Sequence, residues 1–225
     1  MSYDTILFDL DGTLLNTLDD LADSVNTLMR KEGYQQRTKE EIRQFIGDGL
    51  KTLMERSLPP GTPEKEILRC LVMFREIYLR NMLNQTKPYD EIPVVLKRLK
   101  EMGIKVGVVS NKADEATKEM CNHYFQGDVD VAIGDNQERK KKPDPDNVYA
   151  AMQQLGSDED KTLYVGDSNI DVMTAKNAGL SCVGVAWGYR SRDILVAAGA
   201  DYIIEKPNQL IPLVETLKIT RGEKR

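Results

Sequence analysis

The sequence predicts an α/β protein: a mostly parallel sheet with helices on both faces, and an all-helical insertion after the first strand. Three observations carry this expectation. Short apolar runs ending in polar or small residues recur along the chain. From the second run onward they alternate with segments of helical period, the rhythm of right-handed crossovers between parallel strands. Between the first run and the second lies a long interval with helical signals only.

The first predicted strand is Thr5-Ile6-Leu7-Phe8. Within the interval that follows, Thr17 with Asp20 and Thr38 with Glu41 have the spacing of N-cap signals. Pro59-Pro60-Gly61-Thr62-Pro63 then breaks the chain before a long amphipathic stretch reaching about Asn84. Helices of this kind would pack as a small bundle, with the chain crossings near 14–17 and 86–90 acting as hinges. Further strands are predicted at 104–109, 129–133, 162–165, 182–185 and 202–204, and helices at 93–102, 113–124, 145–155, 170–178 and 191–198. The core is therefore assigned to 1–15 and 87–225 and the insertion to 16–86. The basic tail 221–225 is expected to fray.

Composition narrows the function. With 225 residues, 40% hydrophobic, 30% charged and a net charge of -5, the chain has the make-up of a soluble globular protein. An acidic balance gives no broad positive surface for nucleic acid, so an anionic substrate must be attracted locally. Cys70, Cys121 and Cys182 are widely spaced and form no CxxC pair, which indicates neither zinc nor a disulfide framework. The start lacks the pattern of a signal peptide, and no run approaches the roughly 18 apolar residues of a membrane helix. A cytoplasmic protein with no membrane partner is expected.

Four segments carry chemistry. Asp9 and Asp11 follow the first strand directly, where open parallel sheets bind ligands, and residues two apart can point the same way. Asp-Gly at 11–12 also suits a plain turn. A second acidic end, Gly166-Asp167-Ser168-Asn169-Ile170-Asp171, again follows an apolar run. There Ser168 and Asp171 could simply cap a helix, but capping leaves Asp167 unexplained. Carboxylates converging on one edge repel one another, and magnesium with its oxygen ligands is the usual remedy. Val109-Ser110-Asn111-Lys112 offers a hydroxyl at an expected helix start, with N–H groups suited to an oxyanion or Ser110 serving as a cap. In Arg139-Lys140-Lys141-Lys142-Pro143, the first three cations are expected on a solvated face, while the proline directs Lys142. His123, the only histidine, is expected at the surface or in packing, and Trp187 and Tyr189 are expected to pack near the site entrance.

Taken together, Asp9-Leu10-Asp11-Gly12-Thr13, Ser110, Lys142-Pro143 and Gly166-Asp167-Ser168 with Asp171 resemble the four motifs of the haloacid dehalogenase-like hydrolase superfamily, over essentially the whole chain. Ile46-Gly47-Asp48-Gly49-Leu50 and Val185-Ala186-Trp187-Gly188-Tyr189-Arg190 are most similar to its phosphoglycolate phosphatases. The resemblance implies a Rossmann-like core with a helical cap. It implies Asp9 as nucleophile and Asp11 as general acid and base, with Ser110, Asn111 and Lys142 holding the phosphoryl oxygens. It implies Mg2+ on Asp9, the Asp11 carbonyl and Asp167, with Asp171 nearby, and a substrate-selecting segment at Gly47, Asp48 and Gly49. The expected substrate is a small phosphorylated metabolite, 2-phosphoglycolate first, with pyrophosphate, nucleotides or sugar phosphates as alternatives. A phosphomutase of the same superfamily is a further alternative and a non-catalytic binding protein the remoter reading, and a monomer and a homodimer are both left open. Asn16 departs from the acid common in related chains, and the part played by Arg190 is open.

Overall fold

The computed structural model describes residues 3–222 and, within the last helix, side chains only as far as 217. Two compact units result, Met1–Leu14 with Pro88–Arg225 and, between them in sequence, Leu15–Lys87. Of the basic tail, 223–225 lie outside the described residues.

The first unit holds a six-stranded sheet in the order β5-β4-β1-β6-β7-β8. Its strands are β1 (Thr5–Phe8), β4 (Lys105–Ala113), β5 (Val131–Asp135), β6 (Thr162–Gly166), β7 (Ser181–Val185) and β8 (Tyr202–Ile204). Every pairing is parallel. All four residues of β1 are buried, as a central strand covered on both faces must be. From β1 the chain builds outward through β4 and β5, then returns to the other side for β6, β7 and β8. That reversal leaves a crevice beyond the carboxyl ends of β4, β1 and β6, where sheets of this class bind ligands.

The connecting helices are α5 (Ile92–Glu101), α6 (Asp114–Tyr124), α7 (Asp146–Leu155), α8 (Asn169–Asn177), α9 (Arg192–Ala198) and α10 (Leu210–Gly222). Leu7, Val109 and Tyr164 join Val148, Met152 and Leu155 of α7 and Val172 and Ala175 of α8 in one buried cluster. Ile6, Phe8, Val106 and Val108 alternate with these residues, and they too are buried.

The second unit contains α1 (Leu18–Glu32), α2 (Lys39–Phe45), α3 (Leu50–Ser57) and α4 (Glu64–Asn81), with β2 (Leu15–Asn16) and β3 (Lys87–Pro88) pairing as a short ribbon. Leu21, Val25 and Leu28 of α1 and Phe74 and Tyr78 of α4 are buried, and α1 packs on α4. Thr38 caps α2 as expected, in a capping box with Glu41. Thr17 does not: its side chain makes no cap bond. Asp20 instead accepts the N–H groups of Gln85 at 2.9 Å and Thr86 at 2.9 Å, a buried carboxylate satisfying two backbone donors.

Two boundaries differ from expectation. β4 runs four residues past 109, so Ser110 lies in the strand and Ala113, not Ser110, precedes α6. The run 139–141 is not a solvated face. Lys141 Nζ is 2.8 Å from Asp135, whose side chain is nearly buried, and Arg139 Nε donates to Asn147 at 2.6 Å. Lys140 is exposed, whereas Arg139 and Lys141 are half-buried and held by these partners.

Candidate active site

β1 ends at Phe8, yet the Asp9 N–H still donates to the Val165 carbonyl at 2.9 Å, which carries Asp9 one residue beyond the sheet. Its carboxylate accepts the Leu10 N–H at 2.7 Å and lies 2.8 Å from Lys142 Nζ. Lys142, with a side chain 2% exposed, reaches Asp171 at the same distance. Its backbone is gripped by Asn111, whose Oδ1 accepts the Lys142 N–H at 2.8 Å and whose Nδ2 donates to the Lys142 carbonyl at 3.0 Å. The peptide bond from Lys142 to Pro143 is cis.

Asp171 serves two readings at once. One oxygen accepts from the Ser168 N–H at 3.0 Å and the Ser168 hydroxyl at 2.6 Å, completing a capping box at the start of α8. The other takes Lys142 and the Tyr164 hydroxyl, the latter at 3.4 Å. Asp167 accepts the Tyr189 N–H at 2.7 Å and the Thr13 hydroxyl at 3.2 Å. It is wedged between two backbone segments, since a Cβ on Gly12 or on Gly188 would overlap its carboxylate.

Asp9, Asp167 and Asp171 bring carboxylate oxygens within 4.8 Å of one another. Burial, followed by repulsion from Asp171, pushes Asp9 well above the usual carboxylate range and Asp167 up to about 7. Burial works against the charge on Lys142, but Asp171 and Asp9 outweigh it and hold its ammonium well above the ordinary lysine value. Asp9 and Asp171 thus share one lysine, and Asp167 has no ion pair with it. Hard oxygen donors that repel one another in a buried pocket suit a small divalent cation, so the donor set fits Mg2+.

The Asp11 carboxylate is not in this group. Lys112 Nζ lies 3.0 Å from each of its oxygens, and the Lys112 side chain is 2% exposed. Two carboxylates two positions apart therefore face different lysines, an arrangement suited to giving them different work.

Residues 6–185 match the model of the haloacid dehalogenase-like hydrolases. The chain belongs to this family. Its relatives include a phosphoglycolate phosphatase of Aquifex aeolicus (strain VF5), 33% identical over 93% of this chain and 96% of that one. Pyrophosphatase PpaX of Bacillus mycoides (strain KBAB4) is 29% identical over 96% and 99%. A solved structure, of a proposed phosphoglycolate phosphatase from Lactobacillus delbrueckii subsp. bulgaricus ATCC BAA-365, has a TM-score of 0.90 and 30% identity, covering 95% of this chain and 99% of that one. The expectation of a phosphatase is met at that level, since relatives in both comparisons carry phosphatase names.

Within this haloacid dehalogenase-like core, Asp9, Asp11, Ser110, Asn111, Lys142, Asp167 and Asp171 all stand at or just beyond the carboxyl ends of β4, β1 and β6, or on the loop before α7. Gly47, Asp48 and Gly49 belong to the helical unit, between α2 and α3. Gly47 and Gly49 have φ of 117° and 90°, and Asp48 pairs with Arg56 at 2.6 Å. The indole N–H of Trp187 donates to the Thr13 carbonyl at 3.0 Å, so Trp187 and Tyr189 hold the loop around Asp167 rather than merely packing. Arg190 draws Asp167 downward in pKa against its burial. His123 is exposed, edge-on to Tyr124. Sequence reasoning missed Lys112 and Tyr164. Charge balance was the available signal for Lys112, because four acids at one edge need more than one lysine.

Proposed function

We propose that this phosphatase hydrolyses a small phosphomonoester through a phosphoryl group carried on Asp9. The observation that supports it is the division of labour between Asp9, beside Lys142 and two further acids, and Asp11, beside Lys112. Asp9 attacks phosphorus while Asp11 gives its proton to the departing oxygen. Asp11 then takes a proton from the water that releases phosphate. Lys142 and Ser110 hold phosphoryl oxygens, and Asn111 keeps Lys142 in place. Such positioning and charge neutralisation provide most of the catalysis in phosphoryl transfer. Mg2+ would be held by Asp9, Asp167 and the Asp11 carbonyl, with Asp171 supporting through Lys142, and would neutralise phosphoryl charge. Gly47, Asp48 and Gly49 are proposed to select the substrate, from their resemblance to the family segment.

The preferred substrate is 2-phosphoglycolate, the activity that names the Aquifex relative. Pyrophosphate is the second reading, favoured by the match to PpaX along nearly the full length of both chains. Phosphate release is to be measured from these two, nucleoside monophosphates and hexose phosphates, with and without Mg2+. Selective, magnesium-dependent release from 2-phosphoglycolate is expected, with none from Asp9→Asn. Turnover by Asp9→Asn would overturn the mechanism, and preference for another ester would replace the substrate alone.

A further inference from the structure

β4 pairs with β1 only as far as Val108, and its pairing with β5 is irregular between Val109 and Ala113. Irregularities of this kind re-aim side chains at the edge of a site. Here the re-aimed side chain is Lys112, buried and in contact with both oxygens of Asp11 at 3.0 Å. The terminal torsion of an aspartate is otherwise broad, so contact with both oxygens restricts the direction in which the carboxyl group faces.

We propose that Lys112 is a positioning residue for Asp11, aiming its carboxyl group through contact with both oxygens. This rests on the acid and base role given to Asp11 above. In the first half-reaction an Asp9 oxygen bonds to phosphorus, the ester P–O bond breaks, and the alkoxide takes the Asp11 proton. The products are an aspartyl phosphate, an alcohol and the Asp11 carboxylate. In the second, a water oxygen bonds to phosphorus, its proton goes to Asp11, and the Asp9–phosphorus bond breaks. Lys112 matters most when the leaving oxygen is basic and needs that proton, and least when it departs as a stable anion.

The test compares leaving groups in the Mg2+-loaded full chain, under single-turnover conditions. Lys112→Met should slow phosphoryl transfer from the best alkyl phosphate of the panel about 10²-fold, with KM little changed, and transfer from p-nitrophenyl phosphate far less. Lys112→Arg should restore most of the loss. Added to Asp11→Asn, Lys112→Met should cost little more, because the two act as a unit. Lys112→Gln serves if the Met variant does not fold by circular dichroism. Equal losses on both substrates, a raised KM alone, or a full additional loss in the Asp11→Asn background would each overturn the proposal. If Asp11→Asn itself shows no leaving-group dependence, the acid and base role falls with it; if it does and Lys112→Met does not, only Lys112 is misassigned.

Discussion

Both units carry solvent-exposed ion pairs, but the sheet unit also has a buried set. In the sheet unit, the side chains of Lys112 and Lys142 are 2% exposed and face Asp11, Asp9 and Asp171. In the helical unit, Arg43 with Glu40, Lys51 with Glu64 and Arg56 with Asp48 are all open to solvent. Exposed pairs are screened and contribute little, so the helical unit depends on its apolar packing. Buried pairs carry a desolvation cost that attraction only partly offsets, and losing one partner strands the other. The buried pairs of the sheet unit are therefore held at a cost in stability.

The sharpest way to break this contrast is Lys142→Met, which leaves Asp9 and Asp171 without their shared ammonium. Turnover should vanish, and urea unfolding in chelator should show a loss of about 3–5 kcal/mol.

Next in size is the pH dependence of the metal-free protein. Asp9 and Asp167 bind protons more tightly folded than unfolded, where a carboxylate titrates near 3.8. Between there and about 7 the folded state holds more protons, so stability must fall as pH rises through that window. Melting temperatures in chelator should decline accordingly, and saturating Mg2+ should flatten the decline. A metal-free protein that gained stability over the same range would refute the raised values that burial and repulsion give these two acids.

Asn111→Ala removes both side-chain bonds to the Lys142 backbone. A loss of about 1–3 kcal/mol by denaturation and a lower kcat are expected. Unchanged kcat would leave Asn111 without a hold on Lys142.

The smallest effects belong to the helical unit. Thr38→Ala should lose about 1 kcal/mol with the capping box, while turnover of p-nitrophenyl phosphate stays unchanged. Lys51→Met should leave the melting temperature where it was, because that pair is open to water.

The order of strands and helices was legible because apolar runs and helical periods report burial directly. Asp9, Lys142, Asp167 and Asp171 were legible because strand-end acids and a lysine before proline are local signals. Ser110 and Lys112 were harder. The extension of β4 comes from an irregular pairing with β5, which no periodicity in 104–113 announces. The same limit applies to Asp20, whose partners lie 65 and 66 residues onward. The cations at 139 and 141 resembled a solvated face because their partners, Asn147 and Asp135, are brought to them only by the fold.

Asp20 also has an evolutionary consequence. By tying the start of α1 to Gln85 and Thr86, alongside the β2–β3 ribbon, it makes the helical unit an insert whose entry and exit lie side by side. The cost of closing such a loop grows only with the logarithm of its length. An insert of another size can therefore be exchanged here while β1 keeps its register with β4, and the acids at the ends of β1 and β6 can be inherited unchanged.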